Sequence, residues 1–195
     1  DGLTAARLGV DAIGLVFYPP STRFVGVDAA LRVIRALPPF VSVVGLFLNA
    51  EPHEVREVLR RVPLALLQFH GEEEPGYCAA FGRPFIKAVA MQTVDDVAGF
   101  GRTFEAAAGL LLDSHAAGDQ GGTGMRFDWR LIPRVTGKPI ILAGGLNPDN
   151  VGEAIREIQP FGVDVSSGVE SAKGIKDANL MRAFMRGVER GERRA

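Results

Sequence analysis

The sequence predicts an α/β fold built on a parallel sheet, and three observations predict it. Short apolar runs alternate with helically spaced segments along the whole chain. The runs are apolar at successive positions rather than at every second one, and the connections between segments are short. Strands apolar on both faces must be covered on both faces, which is the condition of a parallel sheet wrapped by helices. Seven strand–helix units follow one opening helical stretch. The simplest architecture is therefore a (β/α)8 TIM barrel, N-terminally truncated so that strand 1 is missing and seven parallel strands remain. A doubly wound open sheet is the alternative. Against it, no G-x-G-x-x-G follows the first strand to mark a dinucleotide site.

The elements follow in order. Leu3 to Gly9 has a helical pattern with no strand before it. Ile13 to Phe17 is a short apolar strand, closed by Tyr18-Pro19-Pro20 and Ser21-Thr22, which make a loop. Val27 to Leu37 has helical spacing and stops at Pro38-Pro39. Val41 to Leu48 is a β-branched strand. Pro52 to Val62 is a helix with proline suitably near its start. Leu64 to Phe69 is a strand, and Glu72-Glu73-Glu74-Pro75 opens the next helix with acids that suit its positive end. Phe85 to Ala90 is a strand, Val94 to about Ala107 a helix, and Gly109 to Leu112 a strand that runs straight into Asp113. Phe127 to about Val135 reads as a short helix and Pro139 to Ala143 as a strand. Asn147-Pro148 is an N-cap and first-turn pair for a helix to about Ile158. Val163 to Val165 is the last strand, and Asp177 caps the last helix, which runs to about Arg190.

The length of 195 residues suits one domain, 1–195, with a substantial core. A net charge of −1 gives no electrostatic reason to expect nucleic acid or an acidic membrane as partner. The single cysteine, Cys78, excludes an internal disulfide, and no Cys/His cluster has zinc-ligand spacing. The apolar runs are far shorter than a membrane helix needs, and no secretory signal precedes the first element. A cytoplasmic protein is expected.

In such a barrel the chemistry stands at the C-terminal ends of the strands. There the chain places Tyr18 and Arg23, Asn49, Gln68 and His70, Lys87 within its strand, Asp113, Gly144-Gly145 and Ser166-Ser167-Gly168. The last two loops form a pair. Gly144 and Gly145 let backbone N–H groups approach an anion, and Ser166, Ser167 and Gly168 add hydroxyls and a second close approach. They read as a phosphate site, and otherwise as ordinary turns. Asp113, bordered by apolar residues, reads as a general acid of raised pKa, or else as a loop cap. The Gly121–Gly124 run, with Gly122 and Thr123, reads as a lid or substrate clamp, or as a plain surface loop. Arg23 either pairs bidentately with a substrate carboxylate or is a solvated loop arginine. His70 reads as a strand-end histidine bonded to backbone more readily than as a catalytic base. Cys78, in a helix beside Tyr77, reads as a packing residue and not a nucleophile. The arginines from Arg182 to Arg194 read as a solvated helix end.

The segments Gly14-Leu-Val-Phe-Tyr-Pro-Pro-Ser-Thr-Arg23, Gln68-Phe-His-Gly71, Leu112-Asp-Ser114 with Gly121-Gly-Thr-Gly124, Ile141-Leu-Ala-Gly-Gly-Leu-Asn147 and Val163-Asp-Val-Ser-Ser-Gly-Val-Glu-Ser171 with Gly174-Ile-Lys-Asp177 resemble the phosphoribosylanthranilate isomerase family. The resemblance covers the whole chain in order. It implies a (β/α)8 barrel and an isomerase of tryptophan biosynthesis. The reaction implied is the Amadori rearrangement of N-(5′-phosphoribosyl)anthranilate to the 1-deoxyribulose phosphate isomer, with no metal or organic cofactor. It implies Asp113 as the general acid and Arg23 as the holder of the anthranilate carboxylate. Gln68, His70, Gly122 and Thr123 would meet the rest of the substrate, and Gly144, Gly145, Ser166, Ser167 and Gly168 the phosphate. The family's general base is a cysteine near the end of strand 1, in a Lys-Ile-Cys-Gly-like motif. That motif is absent here, so the base is expected before residue 1. The only partner implied is a small phosphosugar, with no nucleic acid and no membrane, in a monomer or homodimer that could belong to a bifunctional fusion. Two other readings stand beside it: a different phosphosugar-isomerase or synthase barrel, and an inactive fragment or non-catalytic barrel that binds a phosphate ligand.

Overall fold

The structure, a computed structural model, describes residues 1–114, 128–133 and 137–193. It begins with α1 (Gly2–Arg7), β1 (Ala12–Val16), α2 (Val27–Ala36), β2 (Ser42–Phe47), α3 (Pro52–Arg61), β3 (Leu66–Phe69), α4 (Pro75–Ala79), β4 (Phe85–Ala90), α5 (Val97–Thr103) and β5 (Gly109–Asp113). A 3₁₀ turn at Trp129–Leu131, then β6 (Ile140–Leu142), α6 (Val151–Ile158) and β7 (Gly162–Val163) follow. A second 3₁₀ turn (Ser167–Val169), the strands β8 (Glu170–Ala172) and β9 (Ile175–Lys176), and α7 (Ala178–Glu192) complete it.

Strands β1 to β7 lie side by side in chain order, every neighbouring pair parallel. The expected run of parallel strands is therefore present. Alternation along each strand sorts its side chains to two sides. Leu15, Phe47, Leu67, Phe69 and Phe85 turn outward and pack with α2, α3 and α4 residues such as Ala30, Val55 and Cys78. Leu110, Leu112, Val89 and Ile140 do the same beneath Val97 of α5. Ile86, Ala88, Leu111 and Ala143 turn the other way and pack on one another inside the curl. Burying such a side chain fully is worth roughly 1.5–3 kcal/mol, so a sheet apolar on both sides needs both layers.

The sheet curls until its ends approach. Helix α1, beside β1, packs against both α2 and α7. The helical layer thus closes round, while β1 and β7 each have a strand neighbour on one side only among the described residues.

Four expectations change. The helix expected from Phe127 is, among the described residues, only the 3₁₀ turn at Trp129–Leu131, begun by Asp128, whose carboxylate accepts from Arg130 N. Asn147 is not the N-cap of the following helix. Its Oδ1 accepts from Asp149 N and Asn150 N at 2.9 and 3.2 Å, closing a turn of its own, and α6 starts only at Val151. The last sheet strand is two residues long, Gly162–Val163; Asp164 N still donates to Leu142 O at 2.8 Å before the chain turns into the loop. The antiparallel β8–β9 hairpin was not foreseen, since its strands are too short to show an alternation. Asp177 does cap α7, accepting from Asn179 N and Leu180 N at 2.7 and 3.0 Å.

Candidate active site

The alternation that fills the interior also sets the site. Leu111 of β5 faces inward, so Asp113, two residues on, faces inward at the strand's C-terminal end, buried. Gln68 of β3 lies between the outward Leu67 and Phe69 and also faces inward. His70 follows it. Gln68 Nε2 and His70 Nδ1 are 3.0 Å apart, which assigns Nδ1 as acceptor and the ring proton to Nε2. That Nε2 comes to 3.3 Å of Asp113 Oδ2 without reaching hydrogen-bond geometry. The expectation of a histidine bonded to backbone is therefore corrected for the ring: its neighbours are a glutamine amide and a carboxylate. A cavity of about 290 Å³ opens beside this pair, between the loop after β3 and α5, with Ala88, Ala90 and Phe104 in its wall.

Lys87 stands with its outward neighbours Phe85 and Val89, over the Phe104 ring, and is not part of the inward face. It is buried against Glu73 at 3.1 Å and donates to the carbonyls of Gly71 and Phe69 at 2.6 and 3.3 Å. Glu73 in turn accepts from Asn49 N and Gly71 N at 2.8 and 2.9 Å. Asn49, at φ +48, accepts from Glu72 N through Oδ1 at 2.7 Å. Asn49 and Lys87, expected among the chemistry of the strand ends, instead tie down the loop that carries His70.

The two glycine loops meet. Gly144 and Gly145 hold φ of +76 and +67, and a Cβ on Gly144 would overlap Ser114 N. A Cβ on Gly168 would overlap the Leu146 carbonyl oxygen, so the loops after β6 and β7 touch backbone to backbone. Asn150, fully buried, donates from Nδ2 to Gly145 O at 2.9 Å and accepts from Asn147 N at 2.8 Å. Ser114 Oγ is buried beside them without a hydrogen-bond partner among the described residues. Successive positive-φ glycines allow backbone N–H groups to turn toward an anion. The start of α6 at Val151 lies four residues past Asn147.

Arg23 is not a solvated arginine. Its Nε and Nη2 donate to Glu170 Oε1 and Oε2 at 2.7 and 2.8 Å, with both side chains largely shielded. Lys176 Nζ donates to the same Glu170 Oε1 at 2.8 Å and to Ser166 O at 2.8 Å. The Arg23 hydrogen bonds hold the Glu170 carboxyl well below the usual range, at about 2, with Lys176 and Gly174 N helping.

Asp164, not among the residues expected from sequence, also faces inward, since its neighbour Val163 packs outward with Leu142. The protein around the inward strand ends, and then the charge of Asp113, raise its carboxyl above the ordinary range, although the Asp164 side chain itself stays exposed to solvent. Its signal in the sequence was a lone acid between Val163 and Val165 at a strand end. Cys78 is fully buried on α4, with its thiol pushed up to about 12 chiefly by burial, and is remote from the inward face. Gly122 and Thr123 lie outside the described residues. The site thus brings together Gln68, His70 and Asp113 at one place, Gly144, Gly145, Ser166, Ser167 and Gly168 at another, and Arg23 beside the second through Glu170 and Lys176. Among the described residues, no group of three or more His, Cys, Asp or Glu could hold a metal ion, and no helix is long and apolar enough to cross a membrane.

Comparison with known proteins places the chain among relatives. A family model described as N-(5′phosphoribosyl)anthranilate (PRA) isomerase matches residues 1–187. The N-(5′-phosphoribosyl)anthranilate isomerase of Nitrosococcus oceani is 53% identical over 189 residues, 97% of this chain and 92% of that one. A crystal structure of phosphoribosyl anthranilate isomerase from Thermotoga maritima superposes with a TM-score of 0.85 at 39% identity, covering 97% of this chain and 93% of that one. A phosphoribosyl anthranilate isomerase in complex with reduced 1-(o-carboxyphenylamino)-1-deoxyribulose 5-phosphate superposes with a TM-score of 0.81 at 36% identity, covering 97% and 92%.

Proposed function

The chain belongs to the N-(5′-phosphoribosyl)anthranilate isomerase family, and we propose that it rearranges N-(5′-phosphoribosyl)anthranilate to 1-(2-carboxyphenylamino)-1-deoxyribulose 5-phosphate, in the tryptophan biosynthesis of the cytoplasm. The observation that carries the reading is Asp113, buried and inward at the end of β5, beside His70 and one strand from the paired glycine loops. In the proposed course the substrate phosphate sits against Gly144, Gly145, Ser166, Ser167 and Gly168, and Arg23 takes the aromatic carboxylate. Asp113 gives its proton to the ribose ring oxygen. The C1′–oxygen bond breaks, and the nitrogen lone pair forms an iminium. A base removes the C2′ proton, and the resulting enolamine becomes the ketone. Gln68 and His70 hold the Asp113 side of the substrate.

The base in this scheme is a cysteine on a strand seated between β7 and β1. What supports it is the pair of strand edges there, each with a neighbour on one side only among the described residues. Cys78 does not serve, for it is buried on a helix and its thiol titrates near 12. That same observation favours a second reading, a barrel that binds the phosphate ligand without turnover.

The test follows loss of substrate fluorescence, for this chain and for one carrying an added strand with the cysteine. Binding of the reduced product analogue by both, with turnover appearing or rising steeply in the extended chain, is expected. Analogue binding without turnover in either would decide for the non-catalytic reading. No binding by either would overturn both.

A further inference from the structure

We infer that Glu170 is a positioning residue for substrate binding: its carboxylate fixes the Arg23 guanidinium at the spacing from the phosphate loop that the substrate needs. The inference rests on the reading of Arg23 as the group that takes the substrate's aromatic carboxylate. Arg23 arrives on the loop after β1, and Glu170 lies 147 positions later, after the phosphate loop. An arginine side chain has many rotamers, and a planar guanidinium carries five N–H donors in one rigid fork. A bidentate clamp along the Nε–Nη2 edge therefore sets the direction of the whole fork.

The clamp is itself held. Glu170 accepts from Gly174 N at 3.2 Å and from Lys176 Nζ at 2.8 Å, and Lys176 is anchored on Ser166 O. The hairpin that carries Glu170 and Lys176 is seated directly on the arginine loop. Gly174, at its tip with φ +83, lies so close to Thr22 that a Cβ would come within 2.9 Å of Thr22 O. A continuous chain of contacts thus runs from Arg23 through Glu170 and Lys176 to Ser166. It crosses the gap between β7 and β1, where no strand among the described residues fixes the distance. A carboxylate that accepts from both Arg23 and Lys176 does more than neutralise them; it sets their separation. Prepaying that order is what preorganisation contributes to binding.

The test is a double-mutant cycle on affinity for the reduced product analogue, with Glu170→Gln and Arg23→Ala, beside the affinity for inorganic phosphate. Glu170→Gln is expected to weaken the analogue about tenfold, by the ordering cost of one rotamer-rich side chain, and to leave phosphate within about twofold. In the Arg23→Ala background the same substitution should change analogue affinity by less than about twofold. Glu170→Asp, which keeps the charge and shortens the reach, carries the same comparison if Glu170→Gln does not fold. Equal analogue affinity in wild type and Glu170→Gln, an equal loss for phosphate, or full additivity with Arg23→Ala would each overturn the inference. If Arg23→Ala itself binds the analogue like wild type, the reading of Arg23 fails and the inference falls with it.

Discussion

His70 Nε2 lies 3.3 Å from Asp113 Oδ2, at the ends of strands separated only by β4, and both side chains are largely shielded from water. A carboxyl group in that position has a fixed neighbour on one side and a cavity on the other. Asp113→Asn keeps the shape and removes the proton donor. The isomerase rate of the extended enzyme should fall by about 10²–10⁴-fold. Affinity for the reduced product analogue and the thermal midpoint should stay near wild type. Steady-state kinetics beside calorimetry separate these outcomes, and a retained rate would remove Asp113 from the mechanism.

Glu73 and Lys87 form a buried ion pair under the loop that carries His70. Removing one partner of such a pair strands the other charge and typically costs about 3–5 kcal/mol. Glu73→Ala also orphans Asn49 N and Gly71 N. Urea unfolding should therefore show a loss in that range, without any direct change to a group that meets substrate.

Glu170 carries a pH signature. Its carboxyl titrates near 2 in the folded chain against an ordinary value of 4.5, so the unfolded chain takes up its proton first as pH falls. Its contribution to stability is complete above 4.5 and is lost as pH falls towards about 2. The melting temperatures of wild type and Glu170→Gln should differ at pH 6 and converge as pH drops through that window. A gap that stays constant with pH would contradict the assignment.

Gly168 has no room for a side chain, because a Cβ would overlap the Leu146 carbonyl oxygen. Gly168→Ala must push the two glycine loops apart. Overpacking of this kind costs about 1–3 kcal/mol, and affinity for inorganic phosphate should fall about tenfold or more on the stated reading. Calorimetric titration with phosphate measures it directly.

Cys78 is fully buried, and its thiol is pushed up to about 12. The thiolate is the reactive form, so iodoacetamide at pH 8 should leave the folded protein unmodified and alkylate it completely in denaturant. Mass spectrometry reads the adduct. Rapid labelling of the native chain would mean that α4 opens.

Much of the site was legible because parallel strands carry chemistry at one end. Once Leu110–Leu112 was read as a strand, Asp113 had to stand at its active end. The same logic found Gln68 and the glycine loops. It failed where direction rather than position matters. Lys87 lies within β4 like an inward residue in the sequence, yet it points outward to Glu73. Asn147 carries the signature of an N-cap but closes a turn four residues before the helix begins, where Asn150 is drawn in to Gly145 O.

By itself the sequence determined the parallel α/β order, the strand ends at which the polar residues gather and the family the chain resembles, because apolar periodicity and short motifs are local properties. Only the tertiary structure decided which of those residues meet. Arg23 and Glu170, His70 and Asp113, and Gly168 and Leu146 O each belong to different units of the chain. Their contact depends on how far the sheet curls and on which side each strand turns its residues, and that is set by the packing of the whole barrel rather than by any one segment.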